Sequence, residues 1–222
     1  MWIFIALPLT LILLVLMNYY LKRDFIPSYE SFNQGNTAFL PSKPLYILFL
    51  LVIFIAGIVS FGAQYYYSSD YVKAAKIATL VLMLLLVAYI DYKSRIIPEK
   101  VLLAGVFLRF VFYLIEMSVD VKETLAILIA DSIGIMFGCG FLLLGALISK
   151  DSIGMGDVKM YGVIGLFCGY SGTLASMVFS LFLCFIASII LLLFKKKDRK
   201  YKLPLAPFVF AGTLLAVISG SS

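Results

Sequence analysis

Long apolar runs alternate with short polar breaks along most of this chain. They occupy residues 2–21, 45–64, 74–90, 101–118, 124–148, 155–170, 173–194 and 203–220. Roughly 20 apolar residues cross the hydrocarbon of a bilayer as a helix. The pattern therefore predicts an all-α fold, a polytopic transmembrane bundle of about eight helices. The fifth run is long enough to tilt or to start outside the hydrocarbon. The sixth is short and glycine-rich, so part of it should be unwound or packed inside the protein. The longest polar stretch, residues 22–44, is too short for an independent core. Residues 1–222 thus read as a single integral membrane domain.

Composition agrees with this pattern. Of the 222 residues, 63% are hydrophobic, and the mean hydropathy is +1.08. Soluble domains lie nearer 45–50% apolar, roughly speaking, so the surplus faces something other than water. The first run lacks a basic start and a small-x-small cleavage site. Asn18-Tyr19-Tyr20-Leu21-Lys22-Arg23 follows it instead, so it reads as a retained helix rather than a removable signal.

Charge sets the orientation. One set of loops holds Lys22, Arg23, Lys43, Lys93, Arg95, Lys100, Lys150, Lys159 and the basic run from Lys195 to Lys202, whereas the opposite loops hold only Lys73, Lys76 and Lys122. The positive-inside rule puts the first set in the cytoplasm and both chain ends outside. The net charge of +6 needs no nucleic acid to explain it. A basic run after a membrane helix serves topology and attraction to anionic headgroups.

Few residue types remain for chemistry. There is no histidine, which removes Ser-His and Cys-His catalysis. Cys139, Cys168 and Cys184 form no Cys-x-x-Cys pair, and no zinc site is expected. Any enzymatic proton transfer falls to carboxylates. Asp91 follows an apolar run, in Asp91-Tyr92-Lys93-Ser94-Arg95-Ile96-Ile97-Pro98. Asp157 precedes one, in Gly154-Met155-Gly156-Asp157-Val158-Lys159. The charge bias places both on the cytoplasmic side. Gly154 and Gly156 permit close approach of backbone to a neighbour, and Pro98 suits the start of a helix. Two carboxylates that meet resist double ionisation and share a proton, supplying a base and an acid. Spacing alone also leaves open a non-proteolytic transporter that uses intramembrane carboxylates.

The three ordered blocks carry more. Asp91 through Pro98, Gly154 through Lys159 with Gly162 and Gly165, and Leu203-Pro204-Leu205-Ala206-Pro207-Phe208 with Ala211-Gly212 resemble the type IV prepilin peptidases, membrane aspartyl proteases with a Gly-x-Gly-Asp motif. The resemblance extends from about Ala74 onward. It implies a hydrolase, with Asp91 and Asp157 as the catalytic pair. Gly154, Gly156, Lys159, Pro98, Pro204 and Pro207 would be supporting positions. It also implies prepilin or pseudopilin precursors as partners, alongside membrane lipids. Their short basic leaders would be cut at the cytoplasmic face of a prokaryotic cell membrane.

One departure stands out. Bifunctional members carry a longer loop with two zinc-binding cysteine pairs and methylate the new N-terminus using S-adenosylmethionine. Here residues 22–44 stand in its place without a cysteine. Asp24-Phe25-Ile26-Pro27-Ser28-Tyr29 resembles only part of that loop. No cofactor is implied for proteolysis, and S-adenosylmethionine would enter only with methylation.

Two further charges lie at membrane depth, Arg109 in the fourth run and Asp131 in the fifth. Such charges are paired or line a wet cavity. The two runs should be antiparallel neighbours, so an Arg109–Asp131 ion pair acting as a structural lock is expected. Gly134 and Gly138 have the spacing of a close helix-packing motif. Tyr65-Tyr66-Tyr67 should join an aromatic belt at the outer interface.

Overall fold

Among the described residues the eight apolar runs give seven helices, because the sixth and seventh join end to end. The computed structural model describes residues 3–21, 43–148, 154–193 and 203–221. It contains α1 (Ile3–Tyr20), α2 (Lys43–Ser68), α3 (Tyr71–Ser94), α4 (Glu99–Val119), α5 (Val121–Ile148), α6 (Met155–Leu193) and α7 (Ala206–Ile218). No strand occurs among the described residues. Among the described residues, six helices are long and apolar enough to cross a membrane, and α7 is a shorter apolar helix. The chain is an all-α membrane protein.

The joint within α6 is Gly169, with φ 63° and ψ −165°. That conformation is essentially closed to residues with a Cβ. Two limbs, 155–168 and 170–193, fold back on each other there. A Cβ built on Gly138 of α5 would stand 2.6 Å from the Tyr161 carbonyl oxygen and 3.2 Å from Thr173 Cγ2. In an unbroken helix those two residues would lie about 18 Å apart. The two expected spans therefore exist, turned by one glycine instead of a loop.

Helix α3 is the axis of the bundle. Its apolar residues run all the way round, and nearly every side chain from Ile77 to Ile90 is buried, as expected of a helix enclosed by others. It starts at Asp70, whose carboxylate accepts from the Val72 N–H at 2.8 Å, a side-chain N-cap. Helices α4 and α5 leave large apolar side chains exposed on one face, which a surrounding bilayer would cover.

Glycines set the tightest packing. A Cβ on Gly134 would lie 2.6 Å from the Gly165 carbonyl oxygen, and one on Gly162 would lie 2.6 Å from Cys139 Sγ. Backbone thus meets backbone where α5 crosses the first limb of α6, the role expected for Gly134 and Gly138.

Two details differ from the sequence reading. Asp91 lies within the last turn of α3, not after it, because the helix continues to Ser94. The last helix starts at Ala206, not at residue 203. Pro204 disfavours helical geometry in the residue before it, whereas Pro207 is accepted in the first turn. The tyrosine cluster is also tied into the fold. Tyr65 stacks on Tyr71 with ring centroids 4.7 Å apart, and the Tyr67 hydroxyl donates to the Ile218 carbonyl at 3.0 Å. Residues 22–42 of the polar loop and the basic run at 195–202 lie outside the described residues.

Candidate active site

Three separate stretches of chain meet at one end of the bundle. The first is the end of α3. Arg95 closes that helix in the left-handed region, φ 55° and ψ 32°, and its N–H donates to the Asp91 carbonyl at 2.8 Å. The chain then runs extended through Ile97 to Pro98, the N-cap of α4. The sharp turn at Arg95 keeps Asp91 and Ile97 at the same end.

The second stretch is the start of α6. Asp157 is in its first turn, three residues after Gly154. The Asp157 N–H donates to the Gly154 carbonyl at 3.0 Å, and the carboxylate lies back beside Gly154, 3.2 Å from where a Cβ there would stand. A carboxylate there also benefits from the positive end of the helix dipole. Gly156 rests on the first stretch. A Cβ on it would lie 3.0 Å from Ile97 Cβ and 3.2 Å from Ile97 Cδ1. The middle glycine is therefore small because Ile97 fills the space beside it. Asp91 and Asp157 are close enough for the charge on Asp91 to act on Asp157.

The third stretch is the start of α7. Helix starts leave N–H groups without partners. Here Phe208 and Val209 donate to the Leu205 carbonyl at 3.0 and 3.1 Å, and Pro207 has no N–H. The Ala206 N–H remains, and it donates to Asp91 Oδ2 at 3.1 Å. Asp91 stands at the unfavourable, negative end of α3. The N-terminus of α7 offsets that placement.

Burial separates the two aspartates. Asp91 is 6% exposed, and Asp157 is half-buried. Arg95 also acts electrostatically on Asp91. Of the supporting positions, Gly154 borders Asp157 and Gly156 lies against Ile97, Pro98 is the N-cap of α4, and Pro204 and Pro207 stand at the start of α7. Lys159 forms an exposed ion pair with Glu99, which joins the start of α6 to the start of α4. The sequence reading did not anticipate Ile97, Glu99 or the Ala206 amide. Ile97 and Glu99 flank Pro98 and were visible as neighbours of the first block. A backbone amide leaves no trace in residue identity.

A second polar cluster lies away from this end. Arg109, fully buried, donates from Nη2 to Asp131 Oδ2 at 2.6 Å and from Nε to the Leu166 carbonyl at 3.0 Å. Its Nη1 pairs with Glu116 at 3.0 Å, and the Tyr113 hydroxyl donates to Asp131 at 2.7 Å. Lys76 lies 3.7 Å from Glu116. The expected Arg109–Asp131 pair is present, within a larger lock that joins α3, α4, α5 and α6. Tyr113 and Glu116, four and seven residues after Arg109, share its helix face. Among the described residues no three His, Cys, Asp or Glu side chains gather as a metal site would require.

These observations define a polytopic membrane protein whose helix ends bring two carboxylates, Asp91 and Asp157, to one end of the bundle. The profile of the type IV leader peptidase family matches residues 78–194, a stretch that includes both aspartates. The chain belongs to that family. A prepilin leader peptidase/N-methyltransferase of Bacillus subtilis (strain 168) is 29% identical over 140 residues, covering 63% of this chain and 54% of that protein. The chain thus spans about half the length of this curated relative. No solved structure matches it.

Proposed function

We propose that this chain is a membrane aspartyl endopeptidase. It removes the short basic leader from type IV prepilin or pseudopilin precursors at the cytoplasmic face of the cell membrane. The observation that supports this best is the meeting of three distant blocks around two carboxylates. Gly156 lies on Ile97, and the Ala206 N–H reaches Asp91. Membership of the leader peptidase family supplies the reaction class.

In this reading the pair holds one proton between two carboxyl groups. The ionised member takes a proton from water as its oxygen attacks the scissile carbonyl carbon. The protonated member gives its proton to the departing amine nitrogen, and the peptide C–N bond breaks. The Ala206 amide fixes the Asp91 carboxyl in orientation. No cofactor is needed for this step.

The test uses the purified full chain and a pilin precursor in lipid vesicles. Mass spectrometry of the product locates the new N-terminus and reveals any added methyl group. Wild-type chain should cut the precursor once, between leader and hydrophobic helix. Undiminished cutting by Asp91→Asn or Asp157→Asn would defeat the assignment of the pair.

A further inference from the structure

The turn of α6 stops short of the end of the bundle away from the two aspartates. Gly169 packs beside Ala130 and Asp131, about 15 Å of helix from the start of α5 at Val121. The first turns of α5 therefore extend past it, as does the start of α3. Between them lies an open cavity of about 800 Å³, with Phe167, Cys168 and Gly169 in its lining.

Two lysines of α3 reach this cavity, Lys73 and Lys76, one turn apart on the same face. Lys76 is 4% exposed. Its ion pair with Glu116 measures 3.7 Å, beyond hydrogen-bond reach, and Glu116 is already held by Arg109 at 3.0 Å. An ammonium group has three donors, and burying it is costly unless they find acceptors. Lys73 has no ion pair among the described residues. Asp131 does not neutralise the lysines, because its Oδ2 takes the bonds from Arg109 and Tyr113. Three cations, Lys73, Lys76 and Arg109, thus face two carboxylates, Asp131 and Glu116, which leaves one positive charge. Other acids line a neighbouring cleft of about 270 Å³ that shares the two lysines. Of these, Asp70 and Asp120 accept from helix-start N–H groups, and Glu123 is exposed.

Much of the remaining lining is apolar, including Ile77, Ile127 and Leu174. Beside it, Leu128 and Ile129 of α5 are exposed on the face that a bilayer would cover. Surplus positive charge on one wall and apolar surface on the others match a phospholipid, whose phosphate and acyl chain are joined. We propose that this cavity holds the headgroup of an anionic phospholipid, its phosphate between Lys73 and Lys76 and its chain along the α5 wall. Inorganic phosphate shares the charge but leaves the apolar walls uncovered. The site stands independently of the peptidase reading.

The test follows the melting temperature of the purified full chain in detergent, because a ligand of the folded state raises it. Phosphatidylglycerol, phosphatidylcholine and inorganic phosphate are added in separate titrations. Phosphatidylglycerol should raise the melting temperature, and the other two should not. Lys73→Gln should weaken that response about fivefold or more in lipid concentration, and Lys73→Arg should keep it. Lys76→Gln should act like Lys73→Gln; if it fails to fold, the Lys73 variants decide. Lys122→Gln changes a lysine outside the cavity and should respond as the wild type does. An undiminished response in Lys73→Gln, or an equal loss in Lys122→Gln, would overturn the site. An equal response to phosphatidylcholine or to inorganic phosphate would overturn the anionic lipid.

Discussion

The Ala206 amide donates to Asp91 Oδ2 at 3.1 Å, so the first turn of α7 holds the carboxyl at the end of α3. The two residues are 115 positions apart. Asparagine at position 91 keeps an oxygen to accept this bond, whereas alanine leaves the amide buried and unpaired. Asp91→Asn should therefore fold like the wild type yet lose cleavage by more than about 100-fold. Asp91→Ala should be less stable than Asp91→Asn by about 1–3 kcal/mol. Thermal melts in detergent beside a cleavage assay check both halves. Equal stability of the two variants would argue against the amide contact.

Gly156 against Ile97 predicts a linked pair of substitutions. Gly156→Ala places a methyl 3.0 Å from Ile97 Cβ, tighter than most real Cβ contacts, and should shift the Asp157 turn from the Asp91 turn by a few tenths of an ångström. Cleavage should fall more than stability does. Shortening the neighbour, in Gly156→Ala with Ile97→Ala, removes the Cγ1 and Cδ1 contacts and should restore part of the activity. A double variant no better than Gly156→Ala alone would place the obstacle at the position-97 Cβ, which alanine keeps.

The Arg109 cluster should behave as a lock rather than a catalyst. Arg109→Met leaves the buried Asp131 without its cation and Glu116 with Lys76 alone, at a cost of about 3–5 kcal/mol. Combining it with Asp131→Leu removes one orphaned charge, so the double variant should be more stable than Arg109→Met. Melting temperatures of the four proteins in this cycle give the coupling. An additive result would dissolve the lock.

Lys159 and Glu99 are the opposite case. Their side chains are 51% and 69% exposed, and exposed pairs contribute little. Lys159→Ala and Glu99→Gln should each leave cleavage within about twofold of wild type, with any effect shrinking as salt is raised. A loss of tenfold or more in Lys159→Ala, measured at fixed salt, would give this lysine a direct role with substrate.

Close packing of α5 on α6 gives the last expectation. A methyl on Gly134 would stand 2.6 Å from a carbonyl oxygen of the facing backbone, which cannot rotate away as a side chain can. Gly134→Ala should destabilise the protein by about 1–3 kcal/mol. Gly140, with nothing within 4 Å of an added Cβ, is the control. Its alanine variant should melt at or above the wild-type temperature.

Much of this arrangement was readable from residue types. The apolar runs set the helices, because membrane length is a strong constraint on composition. Arg109 and Asp131 announced each other, since isolated charges at that depth are rare. Three things were hidden for physical reasons. Helix α3 carries Asp91 inside its final turn because Tyr92-Lys93-Ser94 are polar yet still helical, and polarity marks the edge of the membrane rather than the end of a helix. The turn between the two limbs of α6 rests on one φ angle at Gly169, which Gly-Tyr-Ser-Gly only hints at. The Ala206 contact is made by backbone, so the Pro204 and Pro207 block showed where a helix would start but not what its free amide would reach.

The turn at Gly169 has a consequence for water. It borders an open cavity of about 800 Å³ on the opposite face, lined in part by Lys73, Lys76, Asp131 and Phe167. From there to Asp157 is only about 18 Å of helix, against about 30 Å for bilayer hydrocarbon. Met160, Ile164 and Phe167, each at most 1% exposed, occupy that interval. These three buried side chains separate the two aspartates from that cavity. In the proposed reaction, this short apolar stretch is what lies between the water used at the acid pair and the cavity at Gly169.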